Sequence, residues 1–119
     1  MAKARKAKVF FTDRAIADLH DIEAYTIEKW GDAQAAKYLD AFDRFFGLVE
    51  AEPGILLPVP VIDQLITHSV ELHVVVCTKW HDDVLVLTIV HASLDLFPLL
   101  HRLLPTLIHE VETMRKRLP

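Results

Sequence analysis

The sequence predicts an α+β fold in which an N-terminal strand and an antiparallel helical hairpin pack on a twisted antiparallel sheet of about four strands. Apolar residues recur at three- and four-residue intervals from Ala15 to Val49, as they do along the buried faces of helices. Dense β-branched runs follow over 61–91, a pattern typical of strands that are covered on both faces. Helical spacing then returns from Leu96 to Leu118 and adds a C-terminal helix.

The first half of the chain divides into a short strand and two helices. We expect a strand over residues 7–12, with Thr12 or Asp13 as the N-cap of a first helix over about 13–30. Gly31 ends that helix, and Asp32 is the expected N-cap of a second helix over about 32–51. Because the connection is this short, the two helices are predicted to lie antiparallel beside each other.

The second half is predicted to be mostly strand. Pro53, Pro58 and Pro60 indicate a loop. Strands are expected over 61–66, 70–78 and 84–91, and the turn His81-Asp82-Asp83 joins the last two as an antiparallel hairpin. The final helix, kinked or split at Pro105, either covers the second face of the sheet or leaves its apolar stripe as a dimer surface.

Length, charge and cysteine content exclude several classes of protein. The 119 residues predict one domain, and no apolar run is long enough for a transmembrane helix or a secretory signal. Cys77 is the single cysteine, which fits a reducing, cytoplasmic compartment and a small buried side chain. Four of the 13 basic residues lie in an N-terminal arm, which leaves 9 basic against 17 acidic residues, a balance of −8. So acidic a body is a poor match for nucleic acid.

Catalytic patterns are weak throughout the chain. The histidines do not repeat a metal-ligand spacing, so no metal or cofactor is expected, and His68 and His73 are predicted on opposite faces of one strand. Cleavage of RNA would need a base, an acid and cations, and the candidates are His73, Lys79, His81 and His91. Lys79 is the only Lys or Arg in the β-rich half of the chain before residue 91, which is a thin supply of positive charge.

Two further local features lead to expectations. His91 and Asp95 flank the turn after the last strand, where we expect them to hydrogen-bond to each other and Asp95 to cap the final helix. The second helix carries an additional apolar row at Tyr38, Phe42 and Phe45. So wide an apolar face either lies between the first helix and the sheet or docks a partner helix. The sequence leaves both interpretations open.

These segments, in this order, resemble the RelE/ParE toxin superfamily, and within it the ParE-like plasmid-stabilisation branch. The resemblance covers most of residues 9–97, between a basic arm at 1–8 and a C-terminal amphipathic extension at 98–119. The chain departs from the family in lacking its Arg in the second strand and its Gly-Arg after Pro53, and in having a longer tail. The matching residues are Val9-Phe10-Phe11, Ala15-x-x-Asp18-Leu19-x-x-Ile22-x-x-Tyr25, Trp30-Gly31, Ala35-Ala36-x-Tyr38-Leu39, Glu52-Pro53-Gly54, Val86-Leu87-x-Ile89-Val90-His91 and Asp95.

The resemblance implies the toxin of a type II toxin–antitoxin pair, neutralised by a cognate antitoxin encoded beside it. ParE-like members poison DNA gyrase, and RelE-like members cut mRNA in the ribosome with basic residues. The acidic body favours the gyrase branch, which acts by protein binding without catalytic residues. The alternatives are an mRNA endonuclease and a non-toxic module that forms a homodimer through its C-terminal helix. The expected antitoxin contacts are Tyr38, Phe42 and Phe45, and the expected target contacts are His91, Asp95 and Arg102.

Overall fold

A computed structural model of the protein describes residues 6–60 and 62–118, which form five strands, three α-helices and a short 3-10 turn. The first five residues of the basic arm, and Val61 at the expected start of a strand, lie outside the described residues. None of the described helices is long and apolar enough to cross a membrane. In chain order the elements are β1 (Val9–Phe11), α1 (Asp13–Trp30), α2 (Asp32–Ala51), the 3-10 turn (Pro53–Ile55), β2 (Leu57–Val59), β3 (Ile62–Val70), β4 (His73–Trp80), β5 (Asp83–His91) and α3 (Leu96–Arg117).

The strands form one sheet in the order β1-β5-β4-β3-β2, which confirms the predicted α+β class. β1 runs parallel to β5, with Val9 opposite Val84, and the other neighbouring pairs are antiparallel. β2 was expected to be loop because it contains Pro58. It is instead a strand at the edge of the sheet, where a residue without a backbone N–H is tolerated.

Strand boundaries in the second half differ from the prediction at one turn. β3 continues to Val70, which pairs with His73 across the two-residue loop Glu71–Leu72. His68 and His73 therefore belong to different strands, and their rings contact Phe45 and Phe42 of α2 respectively. The prediction that they lie on opposite faces of one strand is wrong, because a turn separates them.

The helical hairpin covers one face of the sheet. Thr12 caps α1 as expected, since its Oγ1 accepts a hydrogen bond from the Ala15 N–H at 3.0 Å. The N-cap of α2 is Gly31 and not Asp32, and its φ of +88° suits a residue without a Cβ. The core beneath the hairpin contains aliphatic side chains of β4 and β5 together with Phe42, Phe45, Phe46 and Val49.

The opposite face of the sheet is covered by α3. Leu100, Leu107 and Met114 are buried in a second core with Leu85 and Leu87 of β5. The predicted split at Pro105 is wrong, because α3 is continuous from Leu96 to Arg117 and packs on the sheet on both sides of the exposed proline, whereas a kink there stays a prediction.

The far half of α3 is also attached to the start of α1. The Glu110 carboxylate accepts a hydrogen bond from the Arg14 N–H at 3.1 Å, and Arg117 forms two hydrogen bonds of 2.8 Å with Asp13. The chain's own sheet thus occupies much of the apolar stripe that a dimer through this helix would need.

Candidate functional site

A groove of about 890 Å³ opens between the helical hairpin and one end of the sheet. Its walls are the second half of α1, the start of α2, the β3–β4 turn and the adjoining ends of β4 and β5. We call it the hairpin groove, and its lining residues are Asp21, Ile22, Tyr25, Thr26, Trp30, Gln34, Tyr38, Glu71, Leu72, His73 and His91.

Large apolar side chains on the rim of the hairpin groove are open to solvent. Trp30 is 71 % exposed, Leu72 62 % and Tyr25 60 %. An exposed apolar patch of this kind is typical of a surface that binds another protein, where Trp and Tyr contribute much of the binding energy. The hairpin groove therefore has the composition of a docking surface.

The floor of the hairpin groove is held by one tyrosine. The Tyr38 hydroxyl accepts a hydrogen bond from the Leu72 N–H at 3.0 Å and lies 2.7 Å from His73 Nδ1. Because that hydroxyl has one proton to donate, the geometry suits a neutral His73 whose Nδ1 accepts it. Tyr38 thereby joins α2 to both the turn and the strand of the β3–β4 hairpin.

Burial and neighbouring charges keep this pair of side chains uncharged at neutral pH. Burial lowers the pKa of His73, and the adjacent His91 lowers it further. Burial raises the pKa of Tyr38, the Leu72 N–H opposes that change, and the Glu71 carboxylate adds to it. A neutral, hydrogen-bonded pair is suited to fixing the shape of the groove.

The four nuclease candidates fall into two separate pairs. The rings of His73 and His91 lie 5.1 Å apart in the hairpin groove. Lys79 and His81 lie at the other end of β4, beside a smaller groove of about 360 Å³ that also contains Asp82 and Asp83. No Lys or Arg lines the hairpin groove among the described residues, so the His73–His91 pair has no neighbouring cation there.

The turn after β5 differs from the prediction. The His91 Nδ1 lies 2.7 Å from the Ser93 hydroxyl and accepts a hydrogen bond from the Ser93 N–H at 3.1 Å. The expected bond to Asp95 is therefore wrong, since the nearer serine occupies the ring nitrogen. Asp95 holds the N-cap position of α3 without a side-chain cap, and Arg102 is exposed two turns further on. Their assignment to a target surface stays a prediction.

Two of the three predicted antitoxin contacts are buried. Phe42 is 1 % exposed and Phe45 6 %, because the wide face of α2 packs against both α1 and the sheet. The expectation that they line an open docking surface is therefore wrong for the chain by itself. Tyr38 is half-buried and does line the hairpin groove.

Asp18 has a structural role that was not predicted from the sequence. Its carboxylate accepts hydrogen bonds from the Thr88 hydroxyl at 2.5 Å and the Ile89 N–H at 3.0 Å. The Arg14 Nε donates to the same Thr88 hydroxyl at 3.1 Å. β1 ends at Phe11, opposite Val86, so beyond that point β5 has no strand partner on this side. The Asp18 carboxylate there accepts the hydrogen bond of the Ile89 N–H in place of a neighbouring strand.

Other reactive groups offer no site. Cys77 is buried, as expected, and burial raises the pKa of its thiol to about 12, so it is not a nucleophile at neutral pH. Among residues 6–60 and 62–118, no cluster of three or more His, Cys, Asp or Glu could hold a metal ion.

The chain is thus a small α+β domain with a groove whose rim carries exposed apolar side chains, and comparison with known families decides its membership. The model of the family described as the ParE toxin of the type II toxin–antitoxin system, parDE, matches residues 9–96. The chain belongs to the ParE toxin family. The resemblance noted from the sequence is thereby confirmed.

Solved structures agree with this ParE assignment at the level of the fold. The chain is similar to one from the chromosomal ParDE TA system from P. aeruginosa, with 15 % sequence identity and a TM-score of 0.64. The similarity covers 74 % of this ParE chain and 98 % of that one. No protein of curated function matches. The family match ends at residue 96, where α3 begins, so nearly all of α3 is additional to the ParE core.

Proposed function

We propose that this ParE-family toxin acts by binding DNA gyrase and is neutralised by a cognate antitoxin that occupies the hairpin groove. The observation that carries the proposal is the groove itself, which combines exposed Tyr25, Trp30 and Leu72 with a neutral, hydrogen-bonded floor. Aromatic rims of this kind are typical of protein-binding surfaces, and they supply neither the acid and base nor the cations that phosphoryl transfer needs.

The distribution of charge supports binding over catalysis. An RNA-cleaving site needs an acid, a base and cations within reach of one phosphate. In the described part of the chain, the histidine pair and Lys79 are at opposite ends of β4, and Lys79 is beside two aspartates. The formal net charge of −4 is also unfavourable for a polyanion.

The proposed target surface is the end of β5 and the beginning of α3. It contains His91, Asp95 and Arg102, and between them the exposed side chains of Leu94 (52 %) and Phe97 (45 %). Exposed apolar residues with charged neighbours have the composition of a protein interface. This surface adjoins the hairpin groove through His91, so a bound antitoxin would obstruct it.

The antitoxin contacts are proposed to centre on Tyr38. Phe42 and Phe45 lie behind it in the core and support α2, so they act through the shape of the groove. An antitoxin segment in the groove would cover the exposed rings of Tyr25 and Trp30. Dissociation of that antitoxin segment would expose the apolar surface to water again, at a free-energy cost of about 25 cal/mol for each Å².

A gyrase supercoiling assay with the purified protein tests the target. We expect loss of supercoiling and accumulation of cleaved DNA, and an Arg102→Glu variant should need more protein for the same effect. Arg44→Glu is a matched control, because Arg44 is exposed on α2 and its ion pair within the described part of the chain is with Asp40 of its own helix. Unchanged supercoiling at saturating protein would refute gyrase as the target.

One observation favours the endonuclease as a second candidate. His73 and His91 are close enough to serve as an acid and a base on one substrate, with rings 5.1 Å apart. Primer extension on mRNA after induced expression would reveal new 5′ ends if the protein cleaves, and His91→Ala should abolish them. Growth arrest without new 5′ ends would refute this candidate.

A further inference from the structure

The hairpin groove has a charge pattern that selects its occupant. Asp21 on α1 and Glu71 in the β3–β4 turn are its acidic side chains, and no Lys or Arg is among the described lining residues. Neither carboxylate forms an ion pair or hydrogen bond with another described residue. Two unpaired carboxylates at a groove give it a negative potential that favours a cationic ligand.

The aromatic rim suits the same ligand. The faces of Trp and Tyr rings attract ammonium and guanidinium groups, and Trp30 and Tyr25 are both more than half exposed. The chain's own Lys29 already places its ammonium 5.9 Å from the centre of the Tyr25 ring. The methylene stem of an Arg or Lys would pack on Leu72 while its charged end reaches a carboxylate.

We infer that the hairpin groove receives a segment of the antitoxin in which apolar residues are combined with Arg or Lys. This inference rests on the proposed function, because it takes the antitoxin as the occupant. It adds the chemical class of the segment, which is cationic and apolar. The body of the toxin agrees, since outside the basic arm it carries 9 basic against 17 acidic residues.

Charge-neutral variants give the inference a measurable form. Asp21→Asn and Glu71→Gln should each weaken binding of a cationic segment about threefold at low salt, and less at high salt, because exposed pairs are weak and screened. Lys29→Gln should have the opposite effect and tighten binding. Glu23→Gln is the matched control, because Glu23 is exposed on α1, has the same charge and does not line the groove.

The probes are two synthetic amphipathic peptides with identical Leu and Ala positions, one carrying Arg and the other Glu at the polar positions. Binding is followed through Trp30 in a Trp80→Phe background, since the chain has two tryptophans and Trp80 is buried on the α3 face. Calorimetry on the unmodified chain repeats the measurement without that substitution. We expect the Arg peptide to bind and to blue-shift Trp30, and the Glu peptide not to bind.

The same variants are then tested with the purified antitoxin encoded beside the toxin. Weaker complexes for Asp21→Asn and Glu71→Gln, together with an unchanged Glu23→Gln complex, would support the inference. Equal binding of both peptides would overturn it, as would equal weakening by Glu23→Gln, which would indicate nonspecific charge attraction. Concentration-dependent dimerisation that Asp21→Asn abolishes would identify a second copy of the chain as the occupant and would also overturn it.

Failure of this inference is distinguishable from failure of the proposed function. If the toxin inhibits gyrase and is neutralised, but its groove variants bind the antitoxin normally, only the inference that the bound segment is cationic is refuted. If the chain does not inhibit gyrase but binds the Arg peptide through Asp21 and Glu71, only the proposal that gyrase is the target is refuted.

Discussion

Asp18 should be the side chain whose loss most clearly separates the helical hairpin from the sheet. Its carboxylate accepts hydrogen bonds from the Thr88 hydroxyl and from the Ile89 N–H. Asp18→Ala removes the single oxygen, Oδ2, that accepts both bonds, and because Thr88 is only 1 % exposed, water replaces that acceptor poorly. The variant should therefore be substantially destabilised without a change of fold.

The magnitude follows from the two hydrogen bonds. A hydrogen bond to a charged group contributes about 1.5–3 kcal/mol to stability. Two bonds at the lower end of that range give a loss of about 3 kcal/mol, out of the roughly 5–15 kcal/mol typical of a domain. For a chain of this length the corresponding fall in Tm is roughly 10 °C. Asp18→Asn keeps an oxygen that can accept both bonds but removes the charge, so it should lose less free energy of unfolding than Asp18→Ala.

Urea denaturation followed by far-UV circular dichroism measures this loss. The midpoint should fall while the slope m stays constant, because the surface exposed on unfolding is nearly unchanged. Glu23→Ala on the same helix is the control, and should change stability by less than about 0.5 kcal/mol because Glu23 is exposed. A midpoint for Asp18→Ala equal to that of the control would refute the role assigned to the carboxylate.

Four further predictions concern the two cores and the groove. Tyr38→Phe removes the hydroxyl that bonds to the β3–β4 hairpin and should lower the free energy of unfolding by about 1 kcal/mol in urea denaturation; an unchanged value would contradict that contact. Leu107→Ala should lower the free energy of unfolding, measured in a thermal melt, by about 2–5 kcal/mol, and a loss below about 0.5 kcal/mol would show that α3 is not part of the core. Phe42→Asp should abolish the folded circular dichroism spectrum, whereas a folded variant would show that Phe42 can leave the core. Burial and His91 lower the pKa of His73, so at acidic pH the folded state binds fewer protons than the unfolded state. The free energy of unfolding should therefore be highest above the ordinary histidine pKa of about 6.5 and should fall as the pH decreases below it. A His73→Gln variant whose free energy of unfolding falls as much with pH as that of the wild type would contradict this.

The helices could be predicted closely because their signals are local. The N-cap at Thr12, the glycine between the helices and the 3.6-residue spacing all depend on neighbours in the sequence, and α1 and α2 have the predicted bounds. The turn after Val70 was missed because Glu71-Leu72 lacks the usual turn residues, although Glu71 adopts a φ of +53°. β2 was missed because proline argues against a strand wherever its position at a sheet edge is unknown.

The hairpin groove could not be predicted because its walls come from α1, α2, β4, β5 and the β3–β4 turn, which are distant from one another in the sequence. Tyr25 and Trp30 were noted only as family residues, although both are aromatic residues outside the buried stripe of α1, which is the available signal for an exposed site. Phe42 and Phe45 were assigned to a surface because a wide apolar face has two explanations. Only tertiary packing distinguishes a helix that contacts both a second helix and a sheet from one that docks a partner.

The parallel pairing of β1 with β5 also has a consequence for the time course of folding. Val9 is opposite Val84, and β1 precedes the helical hairpin, so the sheet cannot be completed until β5 has been synthesised. At about 5–20 residues per second, the ribosome takes about 4–15 seconds to add the residues between Val9 and Val84. Contacts so distant in sequence also form slowly once both partners are present. β1 therefore has no strand to pair with until β5 has been synthesised, and the surfaces proposed to bind gyrase are assembled only at the end.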